Sequence, residues 1–299
     1  MAPENGRTRP RVGLLGIGLM GSAMGRRLLD QGIDVIAWDR TIERVSALEA
    51  AGAQAAAAPN DVPASASAVI TMLPTAEVIL GVVEPLLADW PAGTVWLQMS
   101  SVGANEADQL TRVAQEHHVT IVDAPVSGST HPALEGRLTI LASGPDSVRE
   151  QLQPVFAALG SRVLWVGEAG MGSRLKLAAN HWMVACVTAA AESMHLCEAM
   201  GLDQQPFVEL LEDGPLGSPY IHEKLLEMRS HNYPAGFPVR LALKDLELVG
   251  EVAAASAAEM PVLDVTRERF SVAVREHADE DLAAVYEVGW HARRSQNSD

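Results

Sequence analysis

Basic residues are scarce in this chain: its 299 residues carry 22 Lys plus Arg against 38 Asp plus Glu, a formal charge of −16. That balance opposes general attraction to a phosphate backbone, so nucleic acid is not expected as a partner. Cysteine is scarcer still. Cys186 and Cys197 are the only two, and on one predicted helix their spacing puts them about 16 Å apart, beyond disulfide reach. They read as reduced core thiols of a cytoplasmic protein. Long apolar runs are missing too: no uncharged stretch reaches the ~20 residues of a membrane span, and the opening MAPENGRTRP has no apolar leader core. The expectation is a cytoplasmic chain with no membrane partner and no metal. The polar stretches Met1 to Pro10 and Ala292 to Asp299 read as frayed ends.

What the chain does have is core material, 48% hydrophobic residues over a length of roughly two domains. In its first half, runs rich in Val, Ile and Leu alternate with segments of helical length, the pattern of a parallel sheet with crossover helices. The runs are Arg11–Leu15, Asp34–Trp38, Ala68–Leu73, Thr94–Met99, Thr120–Val122, Leu138–Ala142 and Val163–Val166. Each ends in small or polar residues, where an open α/β sheet places its ligand loops. From about Leu177 strand signals disappear, and helical stretches follow, broken by Gly201 and by Pro215, Pro219, Pro234, Pro238 and Pro261. The predicted fold class is α/β: a doubly wound Rossmann-type domain over 1–170, a long connecting helix over 171–200, and an all-helical C-terminal domain for substrate binding or oligomerisation over 201–299.

Between the first run and the next helical segment stands Gly16-Ile17-Gly18-Leu19-Met20-Gly21, a G-x-G-x-x-G in strand, turn, helix order. The first glycine permits a tight turn, the second lets backbone approach a pyrophosphate, and the third allows close helix packing. Such a motif alone is weak. Here the second run ends at Asp39, placed to accept adenosine ribose hydroxyls, and together these read as a dinucleotide site. Arg40 follows at once. The carboxylate favours the free 2′-hydroxyl of NAD, whereas the guanidinium can pair with the 2′-phosphate of NADP or stand as a solvated charge. Both cofactors are therefore expected, with NADP moderately preferred because Arg40 can turn toward the phosphate while Asp39 turns away.

A helix is expected from Leu175 to Met200, and its stretch LAANHWMVACVTAAA has no charged residue, so it should be buried on most sides. Lys176 opens it, and Asn180 lies one turn on, along the same face. From this segment alone the pair reads first as a snorkelling lysine with a satisfied asparagine, and only second as a functional pair.

Joined together, these pieces resemble the β-hydroxyacid dehydrogenase family, which includes 3-hydroxyisobutyrate dehydrogenase and the tartronate, glyoxylate and succinic semialdehyde reductases. The likeness covers nearly the whole chain. It is carried by Gly13 to Gly21, Met72-Leu73-Pro74, Asp123-Ala-Pro-Val-Ser127-Gly128, Lys176-x-x-x-Asn180 and Leu243-Lys244-Asp245-Leu246. The resemblance implies that Lys176 is the catalytic lysine and that Asn180 helps hold the substrate beside it. It implies that Ser127 and Gly128 bind a substrate carboxylate, that the run Gly16 to Gly21 cradles the pyrophosphate, that Leu73, Pro74 and Ser101 flank the cofactor, and that Lys244 reaches it from the helical domain. Hydride transfer makes or removes an alkoxide, so a proton donor or acceptor must stand within ~3 Å of that oxygen, and an ammonium serves both directions. Lys244 and Asp245 also read as a surface ion pair.

There are departures. Ser129-Thr130-His131-Pro132 replaces a more glycine-rich continuation, Ala179 replaces an asparagine, and Gln98 stands where an aspartate is usual. His181 and Trp182 can line a pocket or serve as helix packing. The expected activity is NAD(P)-dependent hydride transfer on a small β-hydroxy acid or its semialdehyde, in a homodimer or homotetramer. Imine reduction on the same scaffold, and a non-catalytic dinucleotide-binding scaffold, are the alternatives; Lys176 weighs against the first, and Lys176, Asn180 and Ser127 together against the second.

Overall fold

A computed structural model describes residues 10–212 and 214–288. The terminal segments expected to fray lie almost wholly outside the described residues. The chain divides into two compact units, 1–176 and 177–299.

In the first unit, β1 (Arg11–Leu15), β2 (Asp34–Trp38), β3 (Gln54–Ala55), β4 (Ala68–Thr71), β5 (Val95–Gln98) and β6 (Ile121–Asp123) form a parallel sheet in the order β3-β2-β1-β4-β5-β6. The helices between them are α1 (Leu19–Asp30), α2 (Ile42–Glu49), α3 (Ala76–Val83) and α4 (Ala104–Glu116). The strands are nearly continuous apolar runs because both faces are covered. Val12, Leu14, Ile70 and Leu97 pack into one core, whereas Leu15, Val69, Trp96 and Ile121 pack into the other, following the period-2 alternation of a strand. Strand order reverses between β1 and β4, which puts the crevice of a doubly wound sheet at their C-terminal ends.

The later apolar runs do not join this sheet. β7 (Val126–Ser127), β8 (Leu138–Ala142) and β9 (Gly160–Trp165) form a separate sheet in which β7 is antiparallel to β8 and β8 parallel to β9. Two helices accompany it, α5 (Thr130–Glu135) and α6 (Arg149–Leu159). The chain turns back within two residues of Asp123, too few for the crossover that another parallel strand requires.

The long helix α7 (Met171–Ala199) starts four residues before the expected Leu175, and the division into units falls within it. In the second unit it is followed by α8 (Gln205–Glu212), α9 (Pro219–Ser230), α10 (Val239–Ala255), α11 (Pro261–His277) and a 3₁₀ segment, Leu282–Val288. Over 177–191, α7 is buried or half-buried except at Ala178, Trp182 and Ala189, so it is covered on most sides as expected. One stripe stays open, through Ala178, Trp182, Ala189, Glu192 and Leu196, with Trp182 at 61% exposure. Absence of charge says only that a face is not built for water. Among the described residues no helix is long and apolar enough to cross a membrane.

Candidate active site

All six strands of the main sheet run parallel, so the segments leaving their C-terminal ends gather on one edge. Gly16 leaves β1 with φ +100°, and a Cβ there would stand 2.4 Å from the Met72 carbonyl oxygen. Gly21 lies against Gly16 so closely that a Cβ would come within 2.0 Å of its carbonyl oxygen. Those two glycines are required by the protein's own packing. Gly18 is different: a Cβ there would meet nothing within 4 Å. Space at Gly18, at the N-terminus of a helix with no acidic residue in its first turn and no side-chain cap, suits an incoming anion and fits a dinucleotide pyrophosphate.

Asp39, at the end of β2, accepts the Ile17 N–H at Oδ2 (2.7 Å) and the Thr41 N–H at Oδ1 (2.8 Å). The carboxylate thus pins the glycine-rich turn from the end of β2. It is not a side chain at liberty to turn away, which corrects the rationale expected for NADP preference. Arg40 is exposed beside it. Arg44, not anticipated from the sequence, comes within 3.8 Å of Asp39 and lines a cleft of about 360 Å³ together with Gly18, Arg26 and Thr130. Its signal was there: four residues after Arg40, in the first turn of the helix that follows the acidic position.

The Leu73 N–H donates to Ser100 Oγ at 2.8 Å, tying the Leu73-Pro74 segment after β4 to the Ser100-Ser101 segment after β5. Gln98 organises this junction. Its Oε1 accepts the Ser100 N–H at 2.7 Å, while its Nε2 donates to the Ser100 carbonyl at 2.9 Å. An aspartate could accept but could not return a donor, so the amide closes a clasp that the usual residue cannot.

From β6 the chain passes through Asp123 to Ser127 and Gly128, both exposed. Gly128 has φ +128°, and a Cβ there would be 2.8 Å from Leu138 Cδ2 and 3.3 Å from Pro132 Cβ. The bulkier Ser129 to Pro132 continuation becomes the start of α5 and packs against Gly128. Asp123 itself is 2% exposed. It accepts the Ser173 N–H at Oδ2 and the Ser173 hydroxyl at Oδ1, both at 2.8 Å, in the first turn of α7. Burial pushes its carboxyl up to about 6, against hydrogen bonds from Ser173, Ser143 and Gln98 that favour the ionised form. Lys176 follows Ser173 by three residues.

Asn180 and Lys244 belong to the second unit. Asn180 is buried, and its Nδ2 donates to Asp245 Oδ2 at 2.5 Å. Asp245 is only 3% exposed, so it does not stand at the surface. Its hydrogen bond with Asn180 was missed because the residues are 65 positions apart. His181 is partly buried with Nδ1 lacking a hydrogen-bond partner, and Trp182 faces outward. Among the described residues, no group of three or more His, Cys, Asp or Glu side chains is arranged to hold a metal.

The comparisons decide the family. Residues 11–167 match the family model for the NAD-binding domain of 6-phosphogluconate dehydrogenase, and 170–288 match that for NAD-binding of NADP-dependent 3-hydroxyisobutyrate dehydrogenase. Glyoxylate/succinic semialdehyde reductase 1 of Arabidopsis thaliana is 32% identical over 88% of this chain and 92% of its own length. The chain belongs to the β-hydroxyacid dehydrogenase family. Another relative, 2-(hydroxymethyl)glutarate dehydrogenase of Eubacterium barkeri, is 31% identical over 93% of this chain and 94% of its own length. The solved structure of Mycobacterium tuberculosis 3-hydroxyisobutyrate dehydrogenase with L-serine superimposes with a TM-score of 0.87 at 26% identity, covering 94% of this chain and 99% of that one. As a member of this family the protein is an NAD(P)-dependent oxidoreductase of the hydroxyacid dehydrogenase type.

Proposed function

We propose that this β-hydroxyacid dehydrogenase interconverts a small β-hydroxy acid and its semialdehyde, with Lys176 as general acid and base. The observation that carries the reading is the shared anchor at Asp123. One buried carboxylate holds the first turn of the helix bearing Lys176, and it also ends the strand that leads into Ser127 and Gly128. A proton-transfer group and donors for a carboxylate are therefore rooted at one point.

When bound, the nicotinamide supplies or takes up the hydride. Lys176 gives a proton to the substrate carbonyl oxygen in reduction and removes one from the hydroxyl in oxidation, and its charge steadies the developing alkoxide. The Ser127 hydroxyl and Gly128 N–H donate to the substrate carboxylate. Asn180, steadied by Asp245, orients the substrate without transferring a proton. The cofactor is held by Gly16, Ile17, Gly18, Leu19, Met20, Gly21 and Asp39, by Leu73, Pro74 and Ser101, and by Lys244. NADP is moderately preferred over NAD, supported by the guanidiniums of Arg40 and Arg44 around a carboxylate already engaged by two backbone N–H groups.

The enzyme works in the cytoplasm as a homodimer or homotetramer. The two free thiols support the compartment, and the exposed large apolar side chains Trp182, Leu196, Leu202 and Leu210 support self-association.

The test is a panel of hydroxy acids, semialdehydes and a cyclic imine, run with both cofactors. Turnover of acids and semialdehydes with little on the imine is expected; the reverse order would transfer the protein to imine reduction, and cofactor binding without turnover to the scaffold role. Arg40→Ala and Arg44→Ala should each raise KM for NADPH more than for NADH. An equal effect on both cofactors would remove these arginines from phosphate recognition.

A further inference from the structure

The start of α7 is capped from outside. Gly170, just before it, has no side chain, and the orphan N–H groups of the first turn are met by other elements. The Gly172 N–H donates to Ser143 Oγ at 2.9 Å and the Ser173 N–H to Asp123 Oδ2 at 2.8 Å, while Met171 N–H is taken by the Glu168 carbonyl at 3.1 Å. Asp123 and Ser143 are themselves joined by a pair of backbone hydrogen bonds of 2.9 and 2.7 Å between the ends of β6 and β8. The helix is seated so closely that a Cβ on Gly172 would fall 2.1 Å from the Leu141 carbonyl oxygen. Glycine at 172 is therefore a condition of the contact.

Lys176 follows Gly172 by four residues and Ser173 by three, so it shares a face with the two residues that make this seat. A lateral error at the first turn is carried directly to the lysine. Asp123 also touches the cofactor side of the sheet: it is paired in register with Gln98, whose side chain clasps Ser100. Arg174, on α7, forms a two-pronged pair with Asp108 of α4 at 3.0 and 2.8 Å and also interacts electrostatically with Asp123. Burying a carboxylate this deep is costly unless its oxygens are engaged, and those of Asp123 are held by Ser173 and Ser143.

We propose that Asp123 is a positioning residue for the reaction: together with Ser143 it fixes the first turn of α7, and so the place of Lys176, relative to the root of the Ser127-Gly128 loop. This rests on the reading of Lys176 given above. A displacement of about an ångström at a proton-transfer group is enough to lower turnover by up to about a hundredfold.

The experiment compares Asp123→Ala, Asp123→Asn, Ser143→Ala and Lys176→Ala in the full-length protein, measuring kcat, KM and NADPH affinity by fluorescence titration. Asp123→Ala should lower kcat by about ten- to a hundredfold while the NADPH dissociation constant stays within about twofold, because the Gly16 to Gly21 cradle and Asp39 hang from other strands. Asp123→Asn keeps an acceptor for the Ser173 N–H and should restore kcat to within about threefold of the parent. Ser143→Ala, which removes the acceptor for Gly172, should lower kcat in the same sense by about three- to tenfold; it carries the test if Asp123→Ala does not fold. Unchanged kcat in Asp123→Ala or in Ser143→Ala, or NADPH affinity falling in step with kcat, overturns the proposal. Lys176→Ala separates the two ideas: if it stays active the reading of Lys176 fails, whereas if it is inactive while Asp123→Ala is fully active, only the positioning role fails.

Discussion

Two buried aspartates, one in each unit, have been treated in opposite ways. Asp281 in the helical unit is wholly buried and accepts N–H groups from Phe237 at 2.9 Å and Ala283 at 3.1 Å; it also has a cation, Lys224 Nζ, at 3.0 Å. Lys224 in turn contacts both oxygens of Glu227. Burial alone would lower the lysine's pKa, but Asp281 and Glu227 hold it above its ordinary value. Asp123 makes a comparable set of bonds and is almost as buried, but its hydrogen bonds come from the Ser173 N–H and the Ser173 and Ser143 hydroxyls, and burial raises its carboxyl to about 6. The lesson concerns purpose. At Asp281 a lysine pair ties a loop and a 3₁₀ segment to a helix, whereas at Asp123 a backbone N–H and serine hydroxyls tie the end of β6 to the first turn of α7.

Breaking the paired site should give the largest loss of stability. Lys224→Met leaves Asp281 buried without its cation and is expected to cost about 3–5 kcal/mol in denaturant unfolding, with turnover of the remaining folded enzyme little changed. A loss under about 1 kcal/mol would mean that the pair is not the tie described here.

The serine-bonded site should behave in the reverse manner. The Asp123 pKa is raised in the folded state, from 3.8 to about 6, so its protonated form favours folding and this contribution disappears as pH rises through about 6. Asp123→Asn should therefore be as stable as the parent or more so at pH 7.5, by at most about 3 kcal/mol, and the gap should close as pH falls from about 6 toward 4. Chemical unfolding at pH 7.5 and at pH 4.5 measures it. A variant less stable than the parent at pH 7.5, with the deficit vanishing at pH 4.5, would place Asp123 with Asp281 as a stabilising charge.

A smaller effect sharpens the contrast at the loop that Asp123 roots. Ser127→Ala should weaken acid substrates by about 1–3 kcal/mol in kcat/KM and neutral aldehydes by less. Equal losses for both would make Ser127 a turn residue.

Much of the architecture was legible because punctuation and core pattern agreed. β1, β2 and β8 begin and end with their apolar runs, each closed by glycine, aspartate or serine. The two-residue strands β3 and β7 were not, since a pair of residues carries no periodicity, and the second sheet was hidden because its strands look like those of the first. At the candidate site, the place of Gly16 to Gly21 after β1 and of Asp39 after β2 was legible from spacing. Roles that depend on distant partners were not: Asp123 meets Ser173 across 50 residues and Asn180 meets Asp245 across 65. The open stripe of alanine-rich α7 was not legible either, because small side chains leave a helix face neither clearly core nor clearly surface.

The central claim is that Lys176 carries the proton, and Lys176→Ala assayed at saturating substrate, alongside NADPH titration, tests it most directly. The account predicts that kcat falls by about two to four orders of magnitude while fold and cofactor affinity are nearly unchanged, the range for a lost general acid or base. Retention of more than about a tenth of the turnover with cofactor binding intact would contradict it.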